Sequence, residues 1–439
     1  MTTILLAFLT ALWGSQSQTP PAPESQARAI VAALVAGDFA KIESQYTDAM
    51  KQALPPGALA TGWKGAAAQL GAFESVASAQ TQHIGANQVV LVNCRFANAD
   101  LTFRIVFDDS GRLAGFASLQ PIPRGAWSPP EYADVTSFDE RPVTVRTGRW
   151  ELPGFVTIPK SAGRHPAVVL VHGSGPNDAD ETIGGNKVFK DLAYGLASRG
   201  VAVLRYEKRT HKYGAASADD AATFTVRDES IDDARSAVAL LAAMPDVDSS
   251  RIFVAGHSEG AYLAPRIAAG HPEIAGIILL AGNARPLEDL VVEQVRYEAG
   301  LAGSMTPAIQ KAIDDTEASA KAMRSPELKP GMTVNLLGAN LPASYVLDLR
   351  AYHPTDVAAA LTIPMLILQG ARDYQVTMTD FGLWRQALGG KSTVTFKSYP
   401  ALNHLFIAGT GPSRPAEYNA AGHVDAGVVR DIADWCKSR

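Results

Sequence analysis

A chain of 439 residues is longer than one ordinary domain and is expected to divide into two or three. With 47% apolar and 19% charged residues it has a globular balance, which excludes a disordered or collagen-like chain. Its 39 basic and 44 acidic residues give a formal net charge of −5, with no basic stripe for nucleic acid and no polybasic segment for anionic lipid.

Ile4 to Trp13 is an apolar run of signal-peptide length, too short to span a bilayer. Ser15-Gln16-Ser17 then supplies small residues for cleavage, although no Lys or Arg precedes the apolar run. Residues 1–18 therefore read as a signal peptide, and a periplasmic or secreted protein with no membrane span is the expectation. The two cysteines, Cys94 and Cys436, lack metal-ligand spacing. They read as free thiols, with a disulfide between them as the alternative in an oxidising compartment.

Residues 25–120 form a first unit. Ala27 to Ala36 and Phe39 to Tyr46 are expected helices, separated where Gly37 stops one and Asp38 caps the next. Gln88 to Phe96 and Leu101 to Phe107 alternate apolar and polar residues, as half-buried strands do. Asp108-Asp109-Ser110-Gly111 is a hairpin turn leading into Leu113 to Leu119. Helices followed by an antiparallel meander make an α+β unit, and this order resembles the cone-shaped fold of nuclear transport factor two and its bacterial relatives. A homodimer through these strands is one expectation.

Residues 121–135, rich in Pro and polar residues, read as a linker, and 136–439 as a second domain. There strands alternate with helices, the signature of a parallel sheet covered on both faces. Pro166 to Val171 is continuously apolar, and Val201 to Leu204, Ile252 to Ala255, Ile274 to Leu280 and Met365 to Leu368 repeat the theme. Helices are expected at Val188 to Ser198, Asp228 to Ala243, Tyr262 to Ala269 and Val424 to Lys437. Residues 284–361 break the rhythm with a mostly helical stretch joining two strands, read as a cap over the carboxyl ends of the sheet.

Gly256-His257-Ser258-Glu259-Gly260 is a weak signal by itself. It gains meaning because it follows the strand Arg251 to Ala255 and opens a helix at Glu259 or Gly260. A strand–turn–helix elbow needs flanking glycines, since its serine sits on a strained turn. Ser258 is thus the candidate nucleophile, which needs a base and an acid to orient that base. Asp373 follows the buried strand Met365 to Leu368, with Asp380 as the competing acid inside a helical segment. His404 follows the strand Val394 to Tyr399, whereas His423 at the start of the last helix reads as a capping or surface residue. The oxyanion donors expected are the backbone N–H groups of Glu259 and of Ser174 in His172-Gly173-Ser174-Gly175-Pro176, with Gly173 as the neighbouring alternative. His172 reads as a structural residue of that loop. Tyr206, Glu207, Lys208 and Arg209 read as structural ion-pair residues, and Tyr345 and Tyr352 as cap residues able to pack or to meet substrate.

Together, His172 to Pro176, Gly256 to Gly260, Gln369 to Asp373 and Asn403-His404 resemble bacterial α/β-hydrolases near the dienelactone-hydrolase and prolyl-oligopeptidase-like groups. Asn177-Asp178, Asp180-Glu181-Thr182, Arg205 to Thr210 and Asp373 to Thr377 resemble an exported carboxylesterase subfamily. Two departures matter. Dienelactone hydrolases carry cysteine where this chain has Ser258, and the first unit is far too short for the propeller of prolyl oligopeptidases. The resemblance implies an α/β-hydrolase with a mostly parallel sheet and a helical cap, preceded by the small α+β domain. It further implies hydrolysis of small-molecule carboxylic esters through an acyl-enzyme, with no metal or organic cofactor. Amide or peptide hydrolysis, thioester hydrolysis, and ligand binding on a hydrolase scaffold are the alternatives.

Overall fold

The computed structural model describes residues 22–439, except 55, 85–86, 98, 119–121, 124–126, 219, 221 and 338. The signal-peptide reading of residues 1–18 lies outside them. The chain divides into two compact units, residues 1–125 and 126–439.

In the first unit the helix Pro23–Ala36 ends at Gly37, whose φ of 75° terminates it in the left-handed region. Asp38 caps the next helix by accepting from the Lys41 N–H, but that helix covers only Phe39–Glu43. The expected extension to Tyr46 fails because the chain turns there, and Tyr46 forms a bridge with Leu113. The helices Asp48–Ala53 and Ala58–Leu70 follow. Antiparallel strands then run Phe73–Ile84, Asn87–Phe96, Ala99–Phe107 and Leu113–Ser118. Alternate residues Val90, Val92, Cys94 and Phe96 are buried with Ile30, Val31 and Leu34 of the first helix, which is why the period of two was visible. Trp63 sits over this layer, 6.0 Å from both Phe96 and Phe103.

The second unit is built on eight strands: β1 (Phe138–Thr147), β2 (Trp150–Pro159), β3 (His165–Val171), β4 (Ala202–Tyr206), β5 (Val247–His257), β6 (Gly276–Leu280), β7 (Met365–Gly370) and β8 (Val394–Tyr399). Their order across the sheet is β8-β7-β6-β5-β3-β4-β2-β1. From β4 to β8 every pairing is parallel, while β1 and β2 add an antiparallel edge. Every residue of β3, β4, β6 and β7 is buried, as expected of strands covered on both faces. Val169, Val254, Ile277 and Ile367 pack on one face against Asp232–Ala242 and Glu259–Ala268. Val168, Phe253, Ile278 and Leu366 pack on the other against Val188–Ala197 and Ala426–Lys437.

Trp127, from the stretch read as linker, donates its indole N–H to Asp191 at 2.8 Å. Burying aromatic surface there makes the second half of that stretch part of the second unit. Cys94 and Cys436 are both free and buried, one in each unit, so the disulfide alternative falls away.

Between β6 and β7 the chain forms the helices Leu287–Leu301, Pro307–Arg324, Ala343–Arg350 and Pro354–Ala360. A two-stranded hairpin, Thr333–Leu336 with Ala339–Pro342, interrupts them. This insertion has its own small core of Val291, Met323, Leu328, Val334, Leu336 and Val346. Among the described residues no helix is long and apolar enough to cross a membrane.

Candidate active site

β5 ends at His257 and the helix Glu259–Ala268 starts two residues later, leaving Ser258 alone at the turn with φ 54° and ψ −117°. Such a conformation costs a non-glycine residue about 1–3 kcal/mol and persists only where the surroundings impose it. Here the Ser258 N–H donates to the Leu280 carbonyl at 2.9 Å, and the Ser258 carbonyl accepts from Ala261 and Tyr262 at 3.0 Å. The flanking glycines are steric necessities. A Cβ on Gly256 would lie 2.1 Å from the Gly260 backbone, and one on Gly260 would lie 2.2 Å from the Val171 carbonyl.

Asp373 follows β7 and His404 follows β8, both buried. Asp373 Oδ2 lies 2.7 Å from His404 Nδ1 and accepts from Gln369 Nε2 at 3.0 Å. Its Oδ1 accepts the N–H groups of Gln375 at 2.8 Å and Val376 at 3.0 Å. All these partners hold the carboxylate as an acceptor, and so fix a proton on His404 Nδ1. The His404 loop is shaped by Asn403, whose Oδ1 accepts from Leu405 and Ile407.

The competing residues are accounted for elsewhere. Asp380 is fully buried and pairs with Arg285 at 2.7 Å while accepting the Ala284 and Arg285 amides. His423 pairs with Asp191 at 3.0 Å. His172 packs on Phe189 and Tyr206, with Nε2 3.0 Å from the Asp178 carbonyl. Burial pushes its pKa down to about 4, so at neutral pH it is an uncharged structural residue.

The loop after β3 separates the two candidate oxyanion donors. The Gly173 N–H is already committed to Glu181 Oε1 at 2.7 Å. Asn177 Nδ2 draws the Gly173, Ser174 and Gly175 carbonyls to one side at 3.1–3.2 Å. Ser174 lines a cavity of about 440 Å3 together with Ser258 and Glu259. The insertion supplies much of its apolar wall through Leu287, Leu290, Val291, Leu341 and Tyr345. Tyr352, the other tyrosine weighed for this role, instead packs edge-on against Tyr262, 5.0 Å between ring centres.

The polar end of the cavity holds a buried cluster. Lys208 Nζ donates to the Gly173 carbonyl at 2.9 Å and pairs with Glu259 at 3.3 Å and Glu229 at 3.4 Å. Burial works against the lysine's charge, yet the two carboxylates raise its pKa overall. Tyr345 places its hydroxyl 2.8 Å from Glu229 Oε2 and 3.0 Å from Glu259 Oε1. Arg209 pairs with Asp233 at 2.6 Å, so Lys208 and Arg209 both have the structural ion-pair role expected of them.

Sequence reasoning missed three contributors. Glu181 and His257 form a buried pair at 3.0 Å, and Glu229 completes the cluster around Lys208. A charged residue inside an oxyanion loop and a histidine beside the nucleophile were visible signals, but their meeting depends on a loop conformation that spacing does not encode.

Residues 164–409 match the family described as serine aminopeptidase, S33. Residues 27–116 match a family described as a protein of unknown function, DUF3887. Esterase EstD of Thermotoga maritima is 39% identical over 414 residues, which is 94% of this chain and 95% of that protein. Among solved structures, Est1E from Butyrivibrio proteoclasticus aligns with a TM-score of 0.44 at 17% identity, covering 68% of this chain and 99% of that chain. A hyperthermophilic esterase from Pyrobaculum calidifontis aligns with a TM-score of 0.43 at 19% identity, covering 68% of this chain and 85% of that chain. With a family match over more than half of the sequence and a relative aligned along nearly all of it, the chain belongs to the serine aminopeptidase S33 family of α/β-hydrolases.

Proposed function

We propose that the protein is a serine hydrolase that cleaves carboxylic esters through an acyl-enzyme on Ser258. The observation that carries this reading is the 2.7 Å contact of His404 with Asp373, on loops from neighbouring strands of the sheet that also carries the strained Ser258. Asp373 occupies His404 Nδ1, which leaves Nε2 to take the Ser258 hydroxyl proton. Ser258 Oγ then adds to the acyl carbonyl, and the oxyanion accepts from the Glu259 and Ser174 N–H groups. The N-terminus of the helix Glu259–Ala268 adds a favourable potential at that oxygen. Protonated His404 gives its proton to the departing alkoxide, which leaves as the alcohol. Water, deprotonated by the same ring, attacks the acyl-enzyme; the ring returns that proton to Ser258 Oγ as the acyl bond breaks, which releases the carboxylic acid and restores the serine. EstD, aligned along nearly the whole chain, supports an ester as the substrate.

The mostly apolar wall of the cavity favours an uncharged acyl group. The test is a comparison of short p-nitrophenyl esters with aminoacyl p-nitroanilides on the purified full-length protein. The esters should be preferred by at least about 10²-fold in specificity constant. Equal or faster anilide cleavage would assign the site to peptides instead.

A further inference from the structure

We infer that Glu181 and His257 are positioning residues that lock the oxyanion loop, the nucleophile turn and the His404 loop into one rigid unit. This rests on the roles proposed above for Ser258, His404 and Ser174. One carboxylate reaches one loop: Glu181 Oε1 accepts the Gly173 N–H at 2.7 Å. Its other oxygen lies 3.0 Å from His257 Nδ1, next to the nucleophile in sequence. His257 Nε2 in turn lies 3.0 Å from the His404 backbone carbonyl. Both side chains are almost wholly buried, at 0% and 1% exposure, so water cannot substitute for any of these contacts.

Proton counting fixes the state of the pair. A carbonyl oxygen only accepts, so His257 Nε2 must carry hydrogen toward His404. His257 Nδ1 and Glu181 Oε2 meet as an ion-pair contact at 3.0 Å that is not aligned as a hydrogen bond, and a protonated Nδ1 avoids the repulsion a bare nitrogen would meet at the carboxylate. The ionised pair agrees with the electrostatics. Burial opposes charge on His257, but Glu181 raises its pKa; burial also opposes charge on Glu181, and His257 lowers its pKa.

Strain points to the same three places. Of the five non-glycine residues with left-handed φ among the described residues, three fall one in each loop, Glu181 at 47°, Ser258 at 54° and Phe406 at 57°, while Ala281 and Leu337 lie elsewhere. Such conformations survive only where contacts over-determine them. The rings of His257 and His404 also pack together, with centres 4.7 Å apart. Displacing either loop would move the Ser174 donor or the His404 base relative to Ser258, and a shift of about 1 Å in such a site lowers turnover by about 10²-fold.

The test uses the full-length enzyme and p-nitrophenyl butyrate, with kcat and KM measured below the melting temperature of each variant. Glu181→Ala is expected to lower kcat by about 10²-fold with KM changed less than about threefold, because the lost function is alignment rather than binding. Glu181→Gln should recover kcat to within about tenfold of wild type. Its amide oxygen can accept from Gly173 while its NH2 donates to a neutral His257. The double variant Glu181→Gln/His257→Phe carries no buried charge and fills the ring volume, so it isolates the His404 contact even if Glu181→Ala fails to fold. It should fall at least tenfold in kcat below Glu181→Gln. A double variant equal to Glu181→Gln, a folded alanine variant with wild-type kcat, or a glutamine variant no better than alanine would overturn the inference. Ser258→Ala, measured alongside, separates the two levels. An inactive Ser258→Ala with a flat Glu181 series removes only the positioning role, whereas an active Ser258→Ala removes the triad reading beneath it.

Discussion

Asp373 and Asp380 are both buried carboxylates a few residues apart in sequence, yet only Asp373 meets His404, at 2.7 Å, while Asp380 is bound to Arg285. The difference comes from the chain around them. Asp373 sits on the turn leaving β7, and Asp380 lies inside the helix Met378–Leu388, facing the start of the insertion. Asp373→Asn should therefore lower kcat by on the order of 10³-fold with KM nearly unchanged, since the amide cannot stabilise the imidazolium that forms. Asp380→Asn should lower the melting temperature and keep kcat within about fivefold when assayed well below it. Steady-state kinetics paired with thermal melts checks both halves.

The elbow gives a steric prediction. Gly256→Ala and Gly260→Ala place a methyl group within 2.1–2.2 Å of backbone atoms that cannot move aside, so neither should yield soluble folded protein. Gly62, inside the helix Ala58–Leu70, has nothing within 4 Å of its would-be Cβ. Gly62→Ala should be tolerated and stabilise by about 0.4–1 kcal/mol. Soluble yield and denaturant melts of the three variants decide it.

The cluster around Lys208 gives a prediction in pH. Tyr345 has one hydroxyl proton but touches a carboxylate oxygen of Glu229 and one of Glu259. One of the two acids must carry a proton for both contacts to be hydrogen bonds. Glu259 is the acid whose pKa is raised: burial raises it against the pull of Lys208, with Glu229 adding to the rise. The folded state thus holds this proton to higher pH than the unfolded chain, so its contribution favours folding less as pH climbs from about 4.3 through the folded pKa. Glu259→Gln supplies the same donor without the titration. Melting temperatures from pH 4 to pH 9 should match wild type at the acid end and exceed it by a few degrees at the alkaline end. A difference that stays constant across the range would contradict this assignment.

Much of the second unit was legible because its central strands are buried on both faces, as the run Pro166 to Val171 announces. The edge strands β1 and β2 were missed because their exposed residues break the apolar run, and Phe73–Ile84 because Ser, Gln, Thr and Glu dilute its alternation. The hairpin Thr333–Leu336 with Ala339–Pro342 was missed because its four-residue strands are too short to show a period. At the site, the candidates Ser258, Asp373 and His404 came from their order along the chain, each at the end of a strand, and the structure brings Asp373 to His404. Glu181 and Glu229 were not readable in this way. They meet His257 and Lys208 through loop and helix placements that no motif spacing records.

The role of Ser258 as nucleophile is tested most directly by its reaction with a fluorophosphonate probe. Wild-type protein should be labelled stoichiometrically at Ser258 and lose its p-nitrophenyl esterase activity in step with labelling. Ser258→Ala should remain unlabelled, with ester turnover reduced by at least about 10³-fold. Labelling of the Ser258→Ala protein, or turnover near the wild-type rate, would contradict the account.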